Sequence, residues 1–314
     1  MNVLRSIAEL GGLRGPLFLA IGVFDGVHLG HRAVIQRALE DARAAGGEAV
    51  VVTFDPHPAR VLRPDQAPRL LTATAHKIRL ILDLGVRHLL AIPFDAAFAS
   101  TPPDVFIRQL AAAADLREIC VGFEWCFGKG RAGNLDMLRD LGTELGFLEV
   151  GVPAVKIDDR IVSSTLIRAA VENGDFSEAA RFLGREYTVL GTVVAGDQLG
   201  RKLGFPTANL SVHSEQFPPN GVYAVTARRG EELLPGVVNI GVRPTVQAAG
   251  GQRLLELHIF DFDRDIYGEE IEVSFGKYLR SEKKFSGLEE LRAQIDRDAR
   301  EAREWLAEAR LEPT

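Results

Sequence analysis

The sequence predicts an α/β domain on a parallel, doubly wound sheet, then a mainly antiparallel β-barrel or sandwich domain that ends in a helix. Three observations carry this. From residue 1 to about 185, apolar strand-like runs alternate with amphipathic helical runs, and such alternation folds as a parallel sheet with helices on both faces. From about 186 strand-like runs follow one another across turn residues with no helices between them, the pattern of an antiparallel barrel or sandwich. The last stretch is amphipathic again, with Leu288, Leu291, Ile295, Ala302, Trp305 and Ala309 in one stripe.

Taken in order, strands are expected at 17–21, 49–53, 88–92, 118–122 and 147–150, and helices at about 30–45, 75–84, 104–114 and 134–145. LFLAI at 17–21 is short and continuously apolar, as a strand buried on both faces requires. After it Val34, Ile35, Ala38, Leu39 and Ala42 recur at helical spacing. The joint falls at 174–186 (GDFSEAARFLGRE), which divides the chain into 1–185 and 186–314. Strands then follow at 187–194, 221–229, 233–240, 253–261 and 270–275, with Pro219-Asn220-Gly221 as a turn signal. Ser286 and Glu289 form a capping-box pattern before the last helix.

A length of 314 residues favours two domains. The net charge of −6 argues against a duplex or long RNA partner, because such binding leans on Lys and Arg at phosphates. Small phosphorylated ligands stay open, since local donors and Mg²⁺ offset their charge. Cys120 and Cys126 make neither a disulfide framework nor a zinc quartet, in keeping with a reducing compartment. MNVLRSIAELGG carries no basic leader and no membrane-length apolar run, so the cytoplasm is the expected location and no membrane partner is expected.

Residues 22–31, GVFDGVHLGH, join the first strand to a helix. His28 and His31 thus fall at a helix N-terminus, where free N–H groups and the dipole favour an anion. Three readings stand side by side: a metal pair, which lacks the further ligands zinc wants; two ordinary surface histidines; or imidazole donors to nucleotide phosphates, with Gly22, Gly26 and Gly30 letting the backbone come close. The last pattern looks like the (H/T)xGH signature of the nucleotidylyltransferase superfamily. Val162-Ser-Ser-Thr-Leu-Ile-Arg168 starts another helix; capping explains one hydroxyl but not Arg168, whose fork suits phosphate oxygens. It resembles the ISSTxIR signature of the same superfamily.

TFDPHP at 53–58 ends the second strand and is equally a stiff connection or a ligand contact. Gly128-Lys-Gly-Arg-Ala-Gly133 matches GxGxxG, but it follows a late strand, so an anion-contacting or flavin-side loop suits it better than a dinucleotide fingerprint. In GRKLGFPTAN at 200–209, Thr207 and Asn209 sit two apart and on a strand share a face. Their neutral oxygens are able to seat a Mg²⁺ that arrives with ATP; a solvated turn with an Asn cap is the plainer alternative. In LLELHIFD at 254–261, Leu255, Leu257 and Ile259 take one face, and Glu256 with His258 the other. Phosphoryl transfer to an alcohol needs a proton acceptor, and Glu256 is the candidate base.

With these runs in order, the chain resembles the bacterial bifunctional riboflavin kinase/FMN adenylyltransferase family over nearly its full length. GVFDGVHLGH, TFDPHP, GFEWCFGKGRAGN and SSTLIR stand in the first half, and GRKLGFPTAN, PPNGVYAV, NIGVRPT, ELHIFDFDRDIYG and FGKYLRSEKKFSGLEEL in the second. The resemblance implies a Rossmann-like adenylyltransferase domain at 1–185 and a six-stranded riboflavin kinase barrel at 186–314. It implies nucleotide or phosphate contacts at Gly22, Phe24, Asp25, Gly26, Gly30, Ser164, Thr165, Gly200, Lys202 and Gly204. Flavin contacts are implied at Phe54, Pro56, His57, Pro58, Glu124, Phe127 and Arg280, and metal ligands at Thr207 and Asn209. One departure stands out: where family members usually show Gly-Asp-Phe-Arg-Phe-Gly, this chain has Gly122-Phe-Glu-Trp-Cys-Phe-Gly128, so altered affinity is expected there.

The implied reactions are phosphorylation of riboflavin by MgATP, with Glu256 as base, then attack of the FMN phosphate on the α-phosphate of a second ATP. The second step needs no base, since its nucleophile is already an anion; His28, His31, Ser164, Thr165 and Arg168 would stabilise the developing charge. ATP, riboflavin and FMN are the expected partners, flavins being substrates and products, with self-association left open. A tRNA-directed enzyme is disfavoured by the charge balance and the lack of a KMSKS-like run. A kinase-only protein with a degenerate first domain is the other rival.

Overall fold

The computed structural model describes residues 2–195, 204–243 and 252–309. By internal contacts the chain divides into two compact units, residues 1–70 with 74–164 and residues 71–73 with 165–314.

The first unit is a six-stranded parallel sheet. Its strands are β1 (Asn2–Leu4), β2 (Leu17–Ile21), β3 (Glu48–Asp55), β4 (His88–Pro93), β5 (Leu116–Gly122) and β6 (Leu148–Val152), in the order β1-β4-β3-β2-β5-β6. Helices α1 (Leu29–Ala45), α2 (Pro58–Leu62), α3 (Thr74–Leu82), α4 (Ala96–Ala99), α5 (Pro103–Ala113) and α6 (Leu135–Leu145) connect them. Both faces of β2 are covered, as its unbroken apolar run demands: Leu17, Leu19 and Ile21 pack with Phe106, Ile107 and Leu110 of α5, while Ala20 packs with Val34, Ile35 and Ala38 of α1. The chain runs from β2 to β3 and β4 on one side and resumes at β5 on the other. That reversal falls at the carboxyl ends of β2 and β5, the place where open α/β sheets take ligands. A small hairpin, β7 (Lys156–Ile157) and β8 (Arg160–Ile161), precedes α7 (Ser164–Glu172).

The second unit is a closed antiparallel barrel. Strands β9 (Thr188–Val194), β10 (Ala208–Val212), β11 (Gly221–Arg229), β12 (Glu232–Arg243), β13 (Gln252–Ile259) and β14 (Glu270–Arg280) run in the order β10-β13-β12-β11-β14-β9, and β9 closes on β10. This decides for a barrel over a sandwich. Its interior is apolar: Leu210 and Ile240 both oppose Leu255, and Val238 opposes Leu257. The expected joint contains a helix, α8 (Phe176–Leu183), with Asp175 capping the Glu178 N–H. Phe176 stacks on Phe275 at 5.3 Å and meets Tyr223 edge-on, so the compact division falls at 164/165, ahead of the 185/186 seam.

The C-terminal helix α9 (Leu288–Ala309) packs Ala302 and Leu306 against Ala224 and Phe260. Gly276 makes room for Trp305, whose ring lies 2.2 Å from where a Cβ would stand. Two expectations are corrected. Leu288 is 58% exposed, before the packed part of the stripe. Ser286 pairs through its N–H and hydroxyl with Glu290 rather than Glu289, because Glu290 lies one residue further round the first turn.

Candidate functional site

In the first unit, the loop after β2 is tightly folded. Phe24, Gly26 and Val27 have φ of 55°, 84° and 44°; a β-branched residue there is strained and needs its surroundings to hold it. Gly22 allows this fold, since a Cβ would come within 2.8 Å of the Phe24 ring. Phe24 is buried among Ala20, Val27 and Val34, and Asp25 is buried too. Phe24 therefore supports the loop with its side chain, and its backbone is what remains for a ligand.

His28 is the N-cap of α1, and its Nδ1 accepts the His31 N–H at 3.3 Å. With that lone pair used, neutral His28 carries its proton on Nε2, as a donor. The two imidazoles stack with centroids 3.5 Å apart, and Phe24 meets His31 edge-on. Gly30 lies beneath, where a Cβ would stand 3.2 Å from the His28 ring. Among the described residues the histidines join no converging trio of His, Cys, Asp or Glu. The trio that does form, Asp41, Glu118 and Cys120, begins 13 positions along α1 from His28, about 20 Å away at helical rise. The Ser164 hydroxyl donates to the Asp25 carbonyl at 2.9 Å, tying the start of α7 to the histidine loop. Thr165 and Arg168 follow on α7 and group with the second unit.

The loop after β3 holds the Asp55–Pro56 cis bond, with Pro56 exposed. His57 caps α2, accepting the Ala59 N–H on Nδ1 at 3.1 Å, and Pro58 is the first helical residue. Phe54 is 7% exposed within an aromatic cluster of Phe94, Phe98 and Phe106. After β5, Glu124 is exposed, while Phe127 is buried with Trp125 stacked on it at 4.4 Å. The structure therefore brings the histidine loop, TFDPHP and GFEWCFG to one edge of the sheet. It also buries two of the expected flavin contacts, Phe54 and Phe127.

Sequence reasoning missed Lys77 on α3. It is 5% exposed, and its ammonium donates to Val23 O at 3.1 Å, Thr53 Oγ1 at 3.0 Å and Phe54 O at 3.2 Å. Burial pulls it down to about 8, against the opposing pull of Asp25 and Asp55. The available signal was its register: Lys77 shares the stripe of Leu80 and Ile81, a place where an unpaired lysine would not be tolerated.

In the second unit, Asn209 of β10 opposes Glu256 of β13, and Glu256 also opposes Asn239 of β12. Their neighbours Leu210 and Leu255 fill the barrel, so these three polar residues share its outer face. Asn209 is nonetheless 7% exposed. Thr207 precedes β10, and the residue before it is held by His258, whose Nδ1–H donates to Pro206 O at 2.8 Å. A cavity of about 320 Å³ is walled by Pro206, Thr207, Leu257, Ile259, Ile266 and Tyr267. Gly204 adopts φ 87°; Gly200 and Lys202 lie outside the described residues. Arg280 grips Asp298 of α9 through Nε at 3.0 Å and Nη2 at 2.8 Å, and Gln294 adds a bond to the same carboxylate.

Thr207 and Asn209 offer hard, neutral oxygens, which suit a Mg²⁺ that keeps phosphate and water ligands. Among the described residues no helix is long and apolar enough to cross a membrane. The FAD synthetase family model matches residues 14–166, and the riboflavin kinase model residues 183–306. The bifunctional riboflavin kinase/FMN adenylyltransferase of Escherichia coli (strain K12) is 40% identical over 309 residues, 98% of each chain. That of Bacillus subtilis (strain 168) is 39% identical over 296 residues, 93% of each. A crystal structure described as a macrolide-efflux protein from Streptococcus pneumoniae shares the fold, with a TM-score of 0.79 and 29% identity over 95% of this chain and 96% of that one. With two domain models in tandem and relatives of matching length, the chain belongs to the family of bifunctional riboflavin kinase/FMN adenylyltransferases.

Proposed function

We propose that the outer barrel face carrying Glu256 and Asn209 is where riboflavin is phosphorylated, and that the edge formed by the histidine loop, TFDPHP and GFEWCFG is where FMN becomes FAD. The register pairing of Asn209 with Glu256, beside Thr207, is the observation that carries this reading. Glu256 takes the proton of the riboflavin 5′-hydroxyl as its oxygen attacks the γ-phosphorus, and ADP leaves. Thr207 and Asn209 would hold a Mg²⁺ that arrives with ATP, which would offset phosphate charge. In the second reaction an FMN phosphate oxygen attacks the α-phosphorus of ATP, and pyrophosphate leaves. His28 presents its Nε2–H to the charge that develops, with His31 stacked against it.

Exposed Glu124 and the turn of Pro56, His57 and Pro58 are assigned to the flavin, with Phe54 and Phe127 backing them from the core. The roles of Thr165 and Arg168 at phosphate, of Arg280 at flavin, and of Gly200, Lys202 and Gly204 over the kinase phosphates rest on family resemblance. The division of activities at 185/186 rests on the change from alternating to consecutive strand runs in the sequence, and a cytoplasmic location on the expectation drawn from its first residues. The test is a chromatographic time course with riboflavin, ATP and Mg²⁺. FMN first and FAD second supports the assignment; FMN without FAD overturns the adenylyltransferase half and points to residues 124–126. Omission of Mg²⁺ should stop FMN formation.

A further inference from the structure

Lys77 raises a question that packing alone does not answer. Burying an ammonium carries a large desolvation cost, and an apolar side chain at this place on the α3 stripe would avoid it. The lysine is retained with all three N–H bonds used, on Val23 O, Thr53 Oγ1 and Phe54 O. Two of those acceptors belong to the end of β3, and the third lies just before the positive-φ turn of the histidine loop. The triangle is closed, because Thr53 Oγ1 itself donates to Val23 O at 3.0 Å. Asp25 and Asp55, one on each loop, add their field to the same ammonium. The two turns follow neighbouring strands and already meet through the Thr53–Val23 bond; this ammonium braces that bond and adds Phe54 O to the link.

We infer that Lys77 is a positioning residue for adenylyl transfer: by tying Val23 to Thr53 and Phe54 it sets the spacing between the loop that takes ATP and the loop that takes FMN. This rests on the assignment of those two loops given above. In-line attack needs the FMN phosphate oxygen about 3 Å from the α-phosphorus, and a misplacement of about 1 Å costs about 100-fold in rate. Loosening the tie should therefore affect the rate with both substrates bound more than the binding of either one.

The experiment compares Lys77→Met, Thr53→Val, the two combined, and His31→Ala in the full chain, with kcat and KM for ATP and for FMN in FAD formation. FMN formation from riboflavin is measured on the same samples. Lys77→Met is expected to lower kcat for FAD formation about 10- to 100-fold, with both KM values within about 3-fold and FMN formation unchanged. Thr53→Val keeps the shape and removes one corner of the triangle, so it should show the same split more weakly, and the double variant should be no worse than Lys77→Met. A folded Lys77→Met with normal kcat, or one with raised KM and normal kcat, overturns the inference. If Lys77→Met fails to fold, Thr53→Val decides: a normal kcat there overturns it as well. His31→Ala separates the two levels. Normal FAD formation in His31→Ala defeats the loop assignment itself, whereas its loss beside a normal Lys77→Met defeats the role of Lys77 alone.

Discussion

Asn209 stands directly opposite Glu256, the two paired across β10 and β13 on the outer face of the barrel. Directly opposed residues on antiparallel strands have Cβ atoms about 5 Å apart. A carboxylate and an amide oxygen at that spacing can serve one transferring phosphate, the first at the attacking hydroxyl and the second at the metal.

Glu256→Gln keeps the shape and removes the base. FMN formation should fall by about 100- to 10,000-fold, the usual worth of general base catalysis, while FAD formation from supplied FMN stays at its original rate. Separate assays with riboflavin and with FMN check this, and an equal loss of both would count against separate sites. Asn209→Ala should instead raise the Mg²⁺ concentration needed for half-maximal FMN formation, by about 10-fold if one of the ion's few protein ligands is lost.

The tautomer of His28 makes a prediction of its own. Its Nδ1 is taken by the His31 N–H, which puts the proton of the neutral ring on Nε2, the atom assigned to phosphate. Gln places an amide N–H near the position of Nε2, and Asn places one near Nδ1. His28→Gln should thus retain more FAD formation than His28→Asn, with the gap in kcat of about 10-fold or more for one donor. A His28→Asn chain that forms FAD as fast as His28→Gln, or faster, would show that His28 acts as the cap of α1.

Much of this was legible in the amino-acid sequence, for a physical reason. β2 was read to the residue because LFLAI is buried on both faces, and such a strand announces itself by composition. Glu256 was placed on the outer face because alternation has a fixed period of two. What escaped was of a different kind. β10 is only Ala208–Val212, too short and too polar to signal a strand before its partners are known. Lys77 acquires its role only when α3 packs under two loops that are over 20 residues away in sequence. Phe54 and Phe127 carry the right chemistry for a flavin, but their burial depends on Phe94, Phe98, Phe106 and Trp125.

Arg280 separates stability from binding. Its side chain is 22% exposed and that of Asp298 7%, so removing either partner strands a largely buried charge, at a cost of about 3 kcal/mol. Urea unfolding should show that loss for both Arg280→Ala and Asp298→Ala. A flavin contact by Arg280 adds a raised KM for riboflavin in Arg280→Ala alone. If both variants share one KM, Arg280 only fastens α9 to β14.

Glu118 ties the stability of the first unit to pH. It is 4% exposed, and it accepts a bond from the Cys120 thiol at 3.0 Å. Burial first, and then the neighbouring Asp41 carboxyl, raise Glu118 above its ordinary 4.5, while the thiol bond and Arg37 oppose the rise. Between the unfolded and the raised folded value, the folded chain therefore holds a proton that the unfolded chain has already released. Stability depends on pH through the difference in bound protons between the two states, so this group's contribution is complete below the unfolded value and is lost as pH rises toward the folded one. Glu118→Gln keeps the shape and never ionises. Its stability relative to the parent chain should be near constant below about pH 4, climb above that, and level off once pH passes the raised folded value. Urea midpoints of the first unit taken from acid to mildly alkaline pH check this. Parallel curves would mean that Glu118 is ionised in the folded protein and compensated by Arg37, and the proton assigned to it here would have to be given up.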